Sequence, residues 1–178
     1  MRIISGKHKG RQLQAPKNLP VRPTKDMAKE GLFNILNNSY YFPDLKVLDL
    51  FAGTGNISYE FASRGVEDIL AIDTHMGCIN YMNKISTDLE LGIRTLKSDV
   101  FSFLGRNTQH FDIIFADPFY DMEISNFEKL TELVFEHELL LEDGVLIIEH
   151  SKRTNLEHLP NFERSRKYGG SVFSFFKN

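Results

Sequence analysis

The chain has one cysteine, Cys78, in 178 residues, and no tryptophan. A single thiol excludes an intramolecular disulfide and any zinc site built on several thiolates. The longest apolar runs are four residues, as in Ile113-Ile114-Phe115-Ala116, where a membrane-spanning helix needs about 20. After Met1 only Ile3 and Ile4 precede Lys7, so no secretory apolar stretch is expected there. The six histidines are scattered without ligand spacing. A soluble protein of a reducing, cytoplasmic compartment is the expectation. With 42% hydrophobic and 25% charged residues the chain has ordinary globular composition. At this size it can bury enough surface to fold without covalent or metal staples.

Charge is scarce in total and uneven along the chain. The net charge is −3. Residues 1–30 carry Arg2, Lys7, Lys9, Arg11, Lys17, Arg22, Lys25 and Lys29 against Asp26 and Glu30, a local balance of +6. The remaining 148 residues balance at −9. A basic arm on an acidic body suits a polyanionic partner, although a solvated extension would read the same.

Proline and glycine punctuate residues 1–23, which read as short extended pieces with a small hairpin around Lys7–Lys9. Thr24 is a candidate N-cap, with Asp26 in the first turn. Ala28, Leu32, Ile35 and Leu36 then predict an amphipathic helix over Lys25–Asn37. Beyond Lys46 short apolar strands alternate with helices. The strands expected are 47–51, 68–73, 95–98, 111–117 and 145–149, and the helices 57–64, 78–87 and 124–140. That alternation predicts a parallel sheet covered on both faces. Residues 164–168 and 171–176 flank Gly169-Gly170, a two-residue β-hairpin signal. The division expected is a basic extension over 1–44 and a catalytic α/β domain over 45–178.

Four places carry chemistry. Asp49-Leu50-Phe51-Ala52-Gly53-Thr54-Gly55-Asn56 lies where the first strand turns into a helix. Glycines there let backbone approach a ligand at the carboxyl edge of the sheet. The third position of a dinucleotide fingerprint falls on Ser58 rather than glycine, and Asp49 would repel a pyrophosphate. An acid beside Gly-x-Gly suits a ligand with an ammonium or sulfonium group, such as S-adenosylmethionine. Asp73 ends the second strand, where an acid accepts from ribose hydroxyls. Asp99 follows the third strand and could accept from an adenine amine, with Val100 or Phe101 over the ring. A plain helix cap is an equal reading of Asp99.

Asp117-Pro118-Phe119-Tyr120 follows the fourth strand. The lone pair of an exocyclic base amine is delocalised into the ring. Two acceptors, the Asp117 carboxylate and the Pro118 carbonyl, could hold both of its N–H bonds and turn that pair toward an incoming methyl group. Proline fixes the local backbone. An aromatic neighbour can stack on a base drawn out of its helix.

With these motifs the chain resembles class I S-adenosylmethionine-dependent methyltransferases. More narrowly it resembles the RsmD-type family, which methylates N2 of a guanine in bacterial 16S ribosomal RNA. The likeness includes Arg2-Ile3-Ile4-Ser5-Gly6-Lys7 with Gly10-Arg11, Arg22-Pro23-Thr24, and Glu30-Gly31-Leu32-Phe33-Asn34-Ile35-Leu36. It implies a Rossmann-like, seven-stranded, mostly parallel sheet ending in an antiparallel pair. It implies Asp49, Phe51, Gly53 and Gly55 around the methionine part of the cofactor, Asp73 at the ribose, and Asp99 with Val100 at the adenine. Asp117 and Pro118 would hold the target amine and Tyr120 would stack on the guanine. Lys7, Lys9, Arg11, Arg22 and Thr24 would face ribosomal RNA, free or in its particle, with the enzyme a monomer by default. The family usually has a second proline where Phe119 stands, and arginine at Lys29.

Three rivals are distinguishable. A DNA or RNA adenine-N6 methyltransferase uses a similar Asp-Pro-aromatic motif, but commonly with a sizeable target-recognition domain for which this chain has little room. A pyrimidine-C5 enzyme needs a cysteine nucleophile, and Cys78 lies far from the fourth-strand motif and reads as a buried apolar residue. A non-catalytic RNA-binding module would leave Asp49, Asp73 and Asp99 at successive strand ends unexplained.

Overall fold

The structure is a computed structural model that describes residues 1–16, 19, 26–119 and 121–178. Seven strands form one sheet: β1 (Lys46–Leu50), β2 (Asp68–Asp73), β3 (Arg94–Lys97), β4 (Phe111–Ala116), β5 (Leu140–Ser151), β6 (Phe162–Tyr168) and β7 (Ser171–Phe176). Their order is β3-β2-β1-β4-β5-β7-β6. The first five run parallel, and β7 pairs antiparallel with both β5 and β6. This is the Rossmann-like arrangement expected. The order reverses between β1 and β4, the switch point outside whose carboxyl ends such sheets bind ligands.

Alternate residues of the apolar strands serve two cores. Val47, Ile69, Ala71, Ile113, Phe115, Ile147 and Phe173 face one way, against α1 (Asp26–Asn37), α2 (Asn56–Ser63) and α3 (Met76–Asp88). Leu48, Leu50, Ile72, Ile114, Leu146 and Ile148 face the other, against α4 (Val100–Leu104) and α5 (Ile124–Glu136). Burial on both faces explains why the strands read as continuous apolar runs.

Most expected elements are present, with two corrections. The helix expected to reach Leu140 ends at Glu136, because Glu138 turns left-handed (φ 50°) and Leu139 and Leu140 enter the second core. The strand expected from Val145 begins instead at Leu140. Its pairing jumps from Phe111–Leu140 to Ile113–Val145, and the bulge carries Asp143 at φ 62°. The short helix α4 was expected only through the reading of Asp99 as a helix cap. The Thr24 cap and Lys25 lie outside the described residues, and α1 is described from Asp26. Among the described residues no helix is long and apolar enough to cross a membrane.

Residues 1–13 form the small hairpin, and it is bolted down. Arg2 and Gln12 make an antiparallel bridge, and the Ile3 amide donates to the Arg11 carbonyl (3.0 Å). Ile3 and Leu13 are buried in the first core. The fully buried Glu60 carboxylate of α2 accepts the Ile4 amide (2.8 Å), the Ser5 amide (3.0 Å) and the Arg64 Nε (2.9 Å). Lys29 of α1 is also buried, with its Nζ 3.6 Å from Glu60 and donating to the Arg2 carbonyl (2.7 Å) and Asn56 Oδ1 (2.8 Å). Burial lowers the Lys29 pKa, and Glu60 opposes that shift. The hairpin then crosses the far end of α2, where the Lys7 amide donates to the Ser63 carbonyl (2.7 Å). Gly6 has φ 81°, and a Cβ there would lie 1.7 Å from that carbonyl, so only glycine fits.

Breaking a buried ion pair leaves one charge uncompensated, at a cost of about 3–5 kcal/mol. Glu60→Ala should therefore destabilise the chain by about that amount in urea unfolding. The Lys29→Met, Glu60→Leu double variant should lose less. Faster amide exchange at Ile4 and Ser5 in Glu60→Ala would locate the loss at the hairpin.

Candidate active site

The carboxyl edge of the sheet gathers the expected cofactor residues. β1 carries Asp49 and then breaks into a turn in which Phe51 (φ 58°), Gly53 (φ 54°) and Gly55 (φ 83°) are all left-handed. The two glycines adopt this without penalty. Phe51 does not: a bulky residue there stores roughly 1–3 kcal/mol of strain, and such strain concentrates at ligand sites. Gly55 is the residue from which α2 departs, and a Cβ on it would lie 2.8 Å from the Tyr59 ring. Tyr59 keeps a buried hydroxyl with no partner among the described residues.

Asp49 lies beneath this turn, 2% exposed. Its Oδ2 accepts the Ser58 hydroxyl at 2.5 Å. Burial pushes its carboxyl up to about 7, against the pull of the Ser58 hydrogen bonds. Ser58, the position that departs from a dinucleotide fingerprint, is thus the residue that orients Asp49. Asp73, one strand over, accepts the Gly53 amide (2.8 Å) on one oxygen and the His75 amide (2.7 Å) on the other. Each oxygen of an ionised carboxylate can accept about two hydrogen bonds, so both keep capacity for a diol. Asp73 therefore ties the β1 turn to β2 and shapes the cradle as well as lining it.

Asp99 is exposed and caps α4, accepting the Ser102 amide on Oδ1 at 2.8 Å. The cap is thus realised on Oδ1. Val100 is buried beneath, in the second core. Across the switch point the chain leaves β4 through Asp117 and the buried Pro118. The Asp117 amide approaches the Leu50 carbonyl at 3.5 Å, so this loop begins beside the end of β1. Phe119 is 68% exposed. Tyr120 lies outside the described residues.

Three carboxylates at the ends of successive strands can hold a cation, a diol and an amine donor. They would repel a polyphosphate. Cys78 is buried, and that burial raises its thiol to about 11, which removes it as a nucleophile.

The basic residues split from this group. Lys7, Lys9 and Arg11 are exposed and make no ion pair among the described residues. Burial, then the Lys7 and Arg11 charges, lowers the pKa of neighbouring His8. The Lys7–Lys9 tip sits at the C-terminal end of α2, whereas the glycine turn sits at its N-terminal end. Eight residues of helix, about 12 Å, separate them. Arg22 and Thr24 lie outside the described residues. Sequence reading passed over Asn56 and Glu60; an Arg64 four residues after Glu60 was the one local signal of a paired charge.

The raised Asp49 carboxyl has a definite pH signature. An unfolded aspartate titrates near about 4. Between there and about 7 the native state binds the extra proton, so stability falls as pH rises through that window. Asp49→Asn removes this contribution. Urea midpoints should drop between about pH 5 and about pH 8 by more in the wild type than in Asp49→Asn.

A family model described as conserved hypothetical protein 95 matches residues 1–177. The Bacillus subtilis protein YlbH, provisionally named an rRNA methyltransferase, is 33% identical over an alignment covering 99% of this chain and 98% of its own. The Escherichia coli ribosomal RNA small subunit methyltransferase D is 29% identical, covering 90% of this chain and 79% of its own. Among solved structures, Escherichia coli yhhF, provisionally named a methyltransferase, superposes with a TM-score of 0.86 at 26% identity, covering 99% of this chain and 96% of that one. A match along nearly the whole sequence, joined to this fold, means that the chain belongs to the conserved hypothetical protein 95 family, the RsmD-type methyltransferases that its motifs resemble.

Proposed function

We propose that this chain methylates N2 of a guanine in small-subunit ribosomal RNA, with S-adenosylmethionine as donor. The observation that carries the reading is the strained glycine turn with Asp49, Asp73 and Asp99 on one side of the switch point, and Asp117–Pro118 on the other. The donor set fits this cofactor: Asp49 suits the ammonium, Asp73 the ribose hydroxyls, and Asp99 the adenine amine above Val100. Phe51, Gly53 and Gly55 would border the methionine part. The orphaned Tyr59 hydroxyl beside Gly55 is a further polar group without a described partner there. The substrate class follows the name of the Escherichia coli relative and the motifs shared with its family.

When bound, the cofactor supplies an electrophilic methyl group on a sulfonium. This chain's part is positioning and exclusion of water. The Asp117 carboxylate and the Pro118 carbonyl accept from the two N2 hydrogens and hold the amine with its lone pair directed at the cofactor side. Asp117 would also take the proton released as the new N–C bond forms. Tyr120 would stack on the extracted guanine, and the exposed Phe119, next to it in sequence, would offer a second ring. Residues 1–44 would serve RNA binding and 45–178 catalysis, although both share one core. Lys7, Lys9 and Arg11, with Arg22 and Thr24, would contact RNA away from the target base. A cytoplasmic monomer acting on the ribonucleoprotein particle completes the reading.

Under-modified small ribosomal subunits incubated with methyl-labelled S-adenosylmethionine should acquire label in N2-methylguanosine on nucleoside mass analysis. Label in N6-methyladenosine would keep the fold and overturn the substrate. Asp117→Ala should slow transfer by about 100-fold or more, with affinity for S-adenosylhomocysteine nearly unchanged by calorimetry. Replacing Lys7, Lys9 and Arg11 together by alanine should weaken RNA binding. It should reduce the slope of log affinity against log salt by about 2, the value for three phosphate contacts on single strands.

A further inference from the structure

A polar cleft of ≈170 Å³ opens at the carboxyl ends of β5 and β6 and the amino end of β7, and takes no part in the site described above. Its lining includes His150, Lys152, Thr154, Ser165, Lys167 and Ser174. Pairing registers put it on one face of the sheet. His150, Val172 and Lys167 form one row, and Ile148, Ser174 and Ser165 the next. Ala116, the last residue of β4, lies opposite Ile148. His150 is therefore two residues further along, in the direction that the chain takes from β4 into Asp117 and Pro118. The ring of Phe127, in the first turns of α5, packs edge-on against His150 at 6.4 Å. The cleft thus borders the helix into which the Asp117–Phe119 loop leads, about 10 Å, or two strand spacings, from β4.

The floor is fixed and the rim is charged. His150 is 5% exposed, with Nδ1 3.0 Å from the Ser151 carbonyl and Nε2 2.8 Å from the Ser174 hydroxyl. A carbonyl can only accept, so Nδ1 carries the proton and Nε2 accepts from Ser174. Burial lowers the His150 pKa, in keeping with this neutral form. Lys152 and Lys167 are exposed, and neither makes an ion pair among the described residues. Glu157 is the one carboxylate in the lining, against two ammonium groups. An apolar ligand would leave these groups unpaired. A tetrahedral anion with several acceptor oxygens would use both ammonium groups and the Thr154 and Ser165 hydroxyls.

We propose that this cleft takes a phosphate, and specifically a backbone phosphate of the RNA strand that carries the target nucleotide. The inference rests on the RNA reading above and answers a geometric need of it. The cations of the hairpin tip stand at the opposite edge of the sheet. Drawing a base out of its stack toward Asp117 requires a hold on the flanking backbone at this edge. Lys152 and Lys167 would hold that backbone, and the neutral His150–Ser174 pair would keep the floor rigid beneath it.

The test uses the full chain and the Lys152→Gln, Lys167→Gln double variant, with Lys84→Gln on the exposed face of α3 as control. Thermal melting and S-adenosylhomocysteine binding establish that each variant is folded. RNA affinity is then measured across a salt series. The double variant should lose about 1.4 from the slope of log affinity against log salt, the value for two phosphate contacts on a single strand. Methylation at limiting RNA should fall in parallel, with methylation at saturating RNA retained, and Lys84→Gln should match the wild type. An unchanged slope in a variant that methylates normally overturns the proposal and leaves the RNA reading standing. A wild type that binds cofactor but neither binds nor methylates RNA overturns the RNA reading, and the proposal with it. Inorganic phosphate, compared with chloride at equal ionic strength, separates the remaining source. If it raises the melting temperature of the wild type but not of the double variant, while RNA slopes agree, the cleft binds a free anion and the RNA assignment fails.

Discussion

The Glu60 carboxylate is the point on which the N-terminal part of this fold depends. A carboxylate so deeply buried persists only where hydrogen bonds and opposite charge replace its hydration. Here those groups come from three places: the Ile4 and Ser5 amides of the hairpin, Arg64 just past α2, and Lys29 of α1. Each is held by the same charge, so the hairpin, α1 and α2 dock as a set. Apolar contact through Ile3 and Leu13 would hold the hairpin but would tolerate sliding. Two directed amide bonds fix its register. Lys29 extends the set to Asn56, the first residue of α2, and so to the base of the glycine turn. An arginine at position 29, usual in the family, keeps the charge and adds donors. The lysine here donates to the Arg2 carbonyl and Asn56 Oδ1 and stands 3.6 Å from the Glu60 carboxylate as an ion pair.

This rigid docking separates two kinds of surface. The cofactor cradle and the Asp117 loop share the carboxyl edge of the sheet. The Lys7–Lys9 tip is held at the other end of α2 by Ser63. A substrate that meets both surfaces must extend along the face of α1 and α2 for at least the length of that helix. A single nucleotide cannot do so, whereas a folded RNA or an RNA–protein particle can.

The strands were legible because burial on both faces demands unbroken apolar runs, and the final hairpin because Gly169-Gly170 leaves a two-residue turn almost no alternative. The ends of elements were less so. Leu139 and Leu140 continue the helical spacing of α5, and only the left-handed Glu138 separates them from it. α4 is too short, at five residues, to display a period. In the site, Asp49, the glycines, Asp73 and Asp117 were legible from their positions at strand ends. The Lys29–Glu60 pair was not. Its partners lie 31 positions apart, and their burial exists only once the hairpin has closed over them. The distance between the basic tip and the cradle was likewise invisible, since it is set by where Gly6 passes over Ser63.

The costs in this structure are concentrated where a ligand would relieve them. Phe51 is held left-handed against its preference, and Asp49 is buried, which raises its carboxyl. Neither helps the chain fold: the first stores strain, and the second penalises ionisation at neutral pH. A turn selected for stability alone would place glycine at position 51 and an apolar residue at position 49. What the observed residues provide is a backbone already bent at the carboxyl edge, and a buried carboxyl whose ionised form a positive charge beside it would favour. The turn is therefore preorganised in shape around a buried carboxyl. That combination would favour a cationic ligand over a neutral or anionic one of the same size, so discrimination against dinucleotides would begin at Asp49 rather than in the glycines.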